Sequence, residues 1–128
     1  MIPHKEMPSF YSSIDIYACA SMCEGTPNPV LEAMACGVPV ISTDVGIVRE
    51  VFGPNQKKYI LSERSIKAFK ETLKGLLDHP EYLKNLSQEN LMYIQKWDWT
   101  IMTEKFRSYF RAEILKKEHE ETTNEKKI

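Results

Sequence analysis

The sequence predicts an α/β protein built on a short parallel sheet of about three strands, with several helices toward the carboxyl end, and three observations carry that expectation. Two short β-branched apolar runs, Ile14–Cys19 and Val38–Ser42, read as buried strands, and Lys58–Leu61 reads as a weaker third. Between the first two lies a helix-sized segment, Pro29–Cys36, with Asn28 as its N-cap, Pro29 at the first helical position and Gly37 just past the end. Strand, helix, strand in that order is the parallel crossover unit, in which helices cover the sheet to make three layers.

The downstream helices follow from periodicity. In Ser65–Asp78 the apolar residues Ile66, Phe69, Leu73, Leu76 and Leu77 recur at helical spacing, and after His79 and Pro80 so do Leu83, Leu86, Tyr93 and Ile94. The last helix is expected from about Trp99 to Lys117, with Met102, Phe106, Tyr109, Phe110 and Ile114 on one stripe. Residues 1–117 are therefore expected to form one partial domain, and the charged run 118–128 a disordered tail. A sheet of this kind normally has about five or six strands, so three read as part of a larger sheet, truncated on its amino-terminal side.

Composition narrows the function classes. The chain has 128 residues, 42% apolar and 27% charged, with a net charge of -1. It lacks the basic excess of a nucleic-acid or anionic-membrane binder. No apolar run approaches the ~20 residues that span a bilayer, and the start "MIPHKEMPSF" lacks the apolar centre of a signal peptide, so a cytoplasmic location is expected. Cys19, Cys23 and Cys36 are an odd number with generic spacing, which reads as reduced thiols rather than a disulfide framework or a zinc site. No metal or cofactor is expected.

The stretch "EGTPNPVLEAMACGVPVIST", Glu24 to Thr43, carries the chemistry. In open α/β sheets ligands bind outside the carboxyl ends of the strands, and this loop-to-helix junction lies there. Gly25 permits close backbone approach, Pro27 and Pro29 restrict the loop, and the free amides at a helix start form a site for a phosphate. Carboxylates in such a place are suited to accept hydrogen bonds from neutral hydroxyls. At about 100° per residue Glu32 falls just past the edge of the arc holding Val30, Leu31, Met34 and Ala35, so it reaches the crevice while they pack inward. Glu24 stands on the other side of the turn. Hydroxyls, phosphates and hydroxyls in that order describe a nucleoside diphosphate sugar.

Ser42, Thr43 and Asp44 suit either phosphate binding or an ordinary turn before a helix, and Asp15 stands within a strand pattern as a partner for a buried donor. Trp97 and Trp99 fit packing better than a sugar-stacking platform.

The segments "FYSSIDIYACAS", "EGTPNPVLE" and "AMACGVPVISTDVG", with seven residues between the two glutamates, closely resemble the carboxyl-terminal, donor-binding domain of family 4 retaining glycosyltransferases of the two-Rossmann-domain architecture (GT-B). The resemblance is strong over Pro8 to Val51 and holds in outline to about Tyr109. It implies a partial Rossmann-like unit and an EX7E motif. It implies further that Glu24 is the catalytic residue, holding the donor sugar's hydroxyls, and that Glu32 holds the ribose diol. The backbone around Gly25, Thr26 and Val30 would surround the sugar and diphosphate, and Asn28 would cap the helix or touch the donor.

The partners so implied are a nucleotide sugar and the amino-terminal acceptor domain, with no nucleic acid and no transmembrane segment. For an intact parent a place at the cytoplasmic face of the membrane is compatible. Family members neutralise the diphosphate with an arginine and a lysine upstream, whereas before Asp15 this chain offers only Lys5, so the piece is expected to be inactive alone. The alternative is a non-catalytic binding or oligomerisation module, associating through an exposed sheet edge or the last helix.

Overall fold

The chain enters its sheet later than the strand pattern suggests, because helix forms first. The computed structural model describes residues 2–125, with side chains to residue 117. A 3-10 turn at His4–Glu6 leads into α1 (Met7–Ser12), which the strand-first reading of the amino terminus misses. The chain then turns, with the Ile14 amide donating to the Tyr11 carbonyl. Consequently β1 spans Tyr17–Cys19 rather than starting at Ile14.

The next element, α2, spans Asn28–Ala35 and corrects the expected cap. Asn28 is the first helical residue and no side chain caps the helix; instead the Pro27 carbonyl accepts from the Val30 and Leu31 amides at 2.9 and 3.3 Å, starting the first turn one residue early. The helix ends as expected. Gly37 adopts φ +73, and the amides of Gly37 and Val38 donate back to the carbonyls of Met34 and Ala33, both at 2.9 Å, a Schellman closure that glycine makes cheap. Since that closure uses Val38 and Pro39 has no N–H, β2 begins at Val40 and runs to Thr43.

After β2 come α3 (Val48–Val51), a 3-10 turn at Gln56–Tyr59, β3 (Ile60–Leu61), α4 (Ile66–Leu77), α5 (Pro80–Ile94) and α6 (Trp99–Glu125). The sheet order is β1-β2-β3, all parallel, with Tyr17 beside Val40, Ala18 beside Ile41 and Ser42 beside Ile60. All four residues of β2 are buried, as a central parallel strand requires.

Side chains alternate between faces, so Ala18 and Ile41 share one face and Tyr17 and Val40 the other. Ile41 packs with Leu76 and Phe69 of α4 and Leu86 of α5. The Tyr17 ring meets Tyr11 of α1, edge-on at 6.0 Å between centroids. Of the residues placed on α4's apolar face, only Leu76 is fully buried, whereas Ile66 is 88% exposed. Ser65 caps α4 by accepting from the Ala68 amide at 3.0 Å.

A side chain takes over where β3 stops short. In β2 the backbone of Val40 faces the same side as that of Ser42, but β3 reaches only Ser42 and Thr43. The Gln56 amide group covers the gap: its Oε1 accepts from the Val40 amide at 3.2 Å and its Nε2 donates to the Val40 carbonyl. Asn90 Nδ2 donates to Gln56 Oε1 at 2.8 Å and to the Val38 carbonyl at 2.9 Å. Glu89 accepts from the Asn55 and Gln56 amides at 2.9 and 2.8 Å. Polar groups this deep cost free energy unless partnered, and Gln56, Asn90 Nδ2 and Glu89 each bond backbone, whereas Asn90 Oδ1 is buried without a partner among the described residues.

The chain forms two compact units, Met1–Gln95 and Lys96–Ile128. The second is dominated by α6, whose Phe106, Tyr109, Phe110 and Ile114 are 54 to 61% exposed. Trp99, read from sequence as a packing anchor, is 81% exposed. The helix runs to Glu125; of the run 118–128, expected to be a disordered tail, residues 126–128 and the side chains from 118 lie outside the described residues. Among the described residues no helix is long and apolar enough to cross a membrane.

Candidate functional site

Three loops leave the carboxyl ends of the strands, residues 20–27, 44–47 and 62–65, and the first is held by the other two and by β2. Thr43 Oγ1 donates to the Ser21 carbonyl at 2.7 Å. Arg64 Nε donates to the Ala20 carbonyl at 2.6 Å. Gly46, at φ +52, lies so close that a Cβ there would come within 2.2 Å of the Gly25 carbonyl oxygen. A Cβ added at Gly25 would instead meet nothing within 4 Å, so the space over Gly25 is open.

Glu24, in this loop, is exposed, and its Oε1 accepts from Ser21 Oγ at 2.7 Å. Glu32 is half-buried on α2, beside the stripe of Val30, Ala33 and Met34 that faces the core. Its Oε2 accepts from Tyr11 OH at 2.9 Å. Both carboxylates bear on one ring: burial, then Cys19, then Glu32 and Glu24 raise the Tyr17 phenol above its ordinary value. Burial and then Glu32 likewise push the Cys36 thiol up. An open hollow of about 550 Å³ beside Glu32 is walled by Ile2, Pro3, His4 and Met7; Glu24 is not part of its wall.

The amides sort into two groups. Val30 donates to the Pro27 carbonyl and Asn28 to that of Thr26, so these are engaged within the turn. Among the described residues the amides of Gly25 and Thr26 have no protein partner. Of the polar residues left open by the sequence, Ser42 and Thr43 are buried and donate to backbone carbonyls, and Asp44 is gripped by Nε and Nη2 of Arg49 at 2.6–2.8 Å. Asp15 is exposed and precedes β1. The three cysteines are free, and among the described residues no group of His, Cys, Asp and Glu could hold a metal ion.

Sequence reasoning missed Tyr11, Gly46 and Arg64. Each acts through a contact more than twenty residues away, from Tyr11 to Glu32, from Gly46 to Gly25 and from Arg64 to Ala20. The glycine left the one local signal, since "DVG" after a strand is a turn pattern.

Residues 1–91 match the family model described as glycosyl transferases group 1. The chain belongs to that family. A relative, the lipopolysaccharide core biosynthesis mannosyltransferase LpsB of Rhizobium meliloti, is 30% identical over 95 residues, 73% of this chain and 27% of that protein. Among solved structures, sucrose-phosphate synthase from Thermosynechococcus elongatus aligns with a TM-score of 0.75 and 24% identity over 88% of this chain and 29% of its own, which is a likeness of fold. The C-terminal domain of the glycosyl transferase group 1 family protein LpcC from Francisella tularensis aligns with a TM-score of 0.66 and 28% identity over 75% of this chain and 49% of that one. The three-stranded parallel sheet is thus a Rossmann-like part of the fold of GT-B glycosyltransferases. This group 1 chain spans between 14% and 27% of the length of the curated relatives it matches.

Proposed function

We propose that this chain is the donor-binding part of a retaining glycosyltransferase that transfers a hexose from a nucleoside diphosphate sugar, and that the 128 residues alone do not turn over. The observation that carries the reading is the pair of carboxylates, each held by a hydroxyl, on either side of a helix start where, among the described residues, the Gly25 and Thr26 amides lack protein partners. The helix dipole and those amides suit the diphosphate. Glu24 would accept from sugar hydroxyls and act in catalysis, Glu32 would accept from the ribose diol, and the exposed Asn28 would line the donor through contact, whereas Val30, expected from the sequence to line it, is fully buried in the core with its amide engaged. No metal is required by this reading, and the acceptor-binding domain would lie outside these 128 residues.

A departing diphosphate needs positioned cations in a transition state that is stabilised largely by electrostatics. Within these residues the Arg49 guanidinium is engaged by Asp44, and Arg64 reaches the site loop by donating through Nε to the Ala20 carbonyl.

Calorimetric titration with UDP-glucose and GDP-mannose tests the site. One of them is expected to bind, and Glu32→Gln to weaken it by about 10- to 100-fold, the worth of a charge-assisted hydrogen bond. A folded protein that binds neither, or a Glu32→Gln variant that binds as well as the parent, sinks the reading.

A second reading, association, is favoured by the exposed aromatic residues of α6 and by the unpaired edge of β1. Sedimentation of the purified chain is expected to show dimers or larger species, and Phe106→Ser with Phe110→Ser to shift them toward monomer. A parent chain that stays monomeric at high concentration counts against it.

A further inference from the structure

We propose that Tyr11 is a positioning residue that presets the Glu32 carboxylate for the vicinal hydroxyls of a nucleotide's ribose; this rests on the donor-site reading above. Tyr11 OH donates to Glu32 Oε2 at 2.9 Å, and among the described residues no other group hydrogen-bonds that carboxylate. The Tyr11 ring is buried, 3% exposed, and sits edge-on against Phe10 and Tyr17 at 5.4 and 6.0 Å between centroids. The hydroxyl therefore cannot swing away without unpacking α1. Burial first, and then Glu32 itself, raise the phenol well above its ordinary value, so it remains a proton donor across the physiological range.

The consequence is geometric. A glutamate on a helix surface samples several rotamers, and a ligand that needs one of them loses affinity to the ordering. The hydroxyl fixes the orientation of the carboxyl plane and takes one acceptor position on Oε2, leaving Oε1 without a protein donor. A carboxylate so oriented offers its remaining lone pairs to two adjacent hydroxyls, which is what a ribose diol presents. A phenol that only tied α1 to α2 would stabilise the fold without caring which sugar is bound.

The test uses the 128-residue chain with UDP, GDP and their 2′-deoxy counterparts in calorimetry, on the parent, Tyr11→Phe, Glu32→Gln and the double variant. Tyr11→Phe keeps the ring and its packing, and it is expected to weaken the ribonucleotide about five- to tenfold while leaving the 2′-deoxy form within twofold. In the Glu32→Gln background it is expected to add nothing. Equal weakening of ribo and deoxy ligands, or none, overturns the proposal while leaving the donor site standing. Failure of the parent to bind any nucleotide, or indifference to Glu32→Gln, overturns the donor site and the proposal together. Should Tyr11→Phe not fold, the parent still decides: a slowly exchanging Tyr11 hydroxyl proton is expected in its NMR spectrum, moving on saturation with the ribonucleotide but not with the deoxy form. Equal movement with both overturns the positioning role.

Discussion

Gly46→Ala is expected to lower the melting temperature by about 10–40 °C and to abolish nucleotide-sugar binding. Two costs combine. At φ +52 a residue with a Cβ pays about 1–2 kcal/mol for the left-handed conformation. The added carbon would also lie 2.2 Å from the Gly25 carbonyl oxygen and 3.1 Å from that of Glu24, so backbone rather than a flexible side-chain tip must move. Overpacking of this kind costs about 1–3 kcal/mol more, and for a unit of this size each kcal/mol lowers the midpoint by about 4–8 °C. The segment displaced carries Glu24, so binding fails even in molecules that remain folded.

Gly25→Ala is the matched control. Its Cβ meets nothing within 4 Å, so stability is expected to hold while the donor, which would approach that open face, is excluded. Thermal denaturation followed by circular dichroism, together with calorimetry, reads both variants. A Gly46→Ala protein melting within 2–3 °C of the parent would contradict the packing argument, which rests on a step of about 4–8 °C per kcal/mol.

Gln56→Leu is expected to cost about 3–5 kcal/mol, a large share of the stability of a domain this small. Leucine fills a similar volume, so the loss isolates the amide. Without it the Val40 N–H and C=O, at the start of the central strand, are buried with no partner, each at about 1–3 kcal/mol. Asn90 loses one acceptor but keeps the Val38 carbonyl. Urea denaturation checks the magnitude, and hydrogen exchange checks the mechanism: the Val40 amide, protected in the parent, is expected to lose protection selectively. A stability change below about 1 kcal/mol would show that water or β3 supplies the missing pairing.

Both variants concern residues that look ordinary in the sequence. Gln56 lies in "GPNQKKY", a polar turn, and nothing local says that its side chain completes a sheet. Gly46 reads as turn punctuation, with no hint of the carbonyl pressed against it. The helix α1 was hidden because "MPSFYS" is too short to show a period, and its burial of Tyr11 depends on Tyr17 and Glu32, six and 21 residues on.

What the sequence alone determined is the crossover unit and the place of its chemistry. Alternating strand and helix patterns, Pro29 and Gly37 at the ends of α2, and two glutamates around the turn are local signals, set by backbone stereochemistry and side-chain period. Only the tertiary structure decided how the site is held: Tyr11 fixes Glu32, Ser21 fixes Glu24, and Thr43, Arg64 and Gly46 fix the loop between strand and helix. Apart from Ser21, these partners are brought together by the packing of α1 and the parallel strands, and a hydrogen bond across twenty residues of chain leaves no periodic trace in the order of the amino acids.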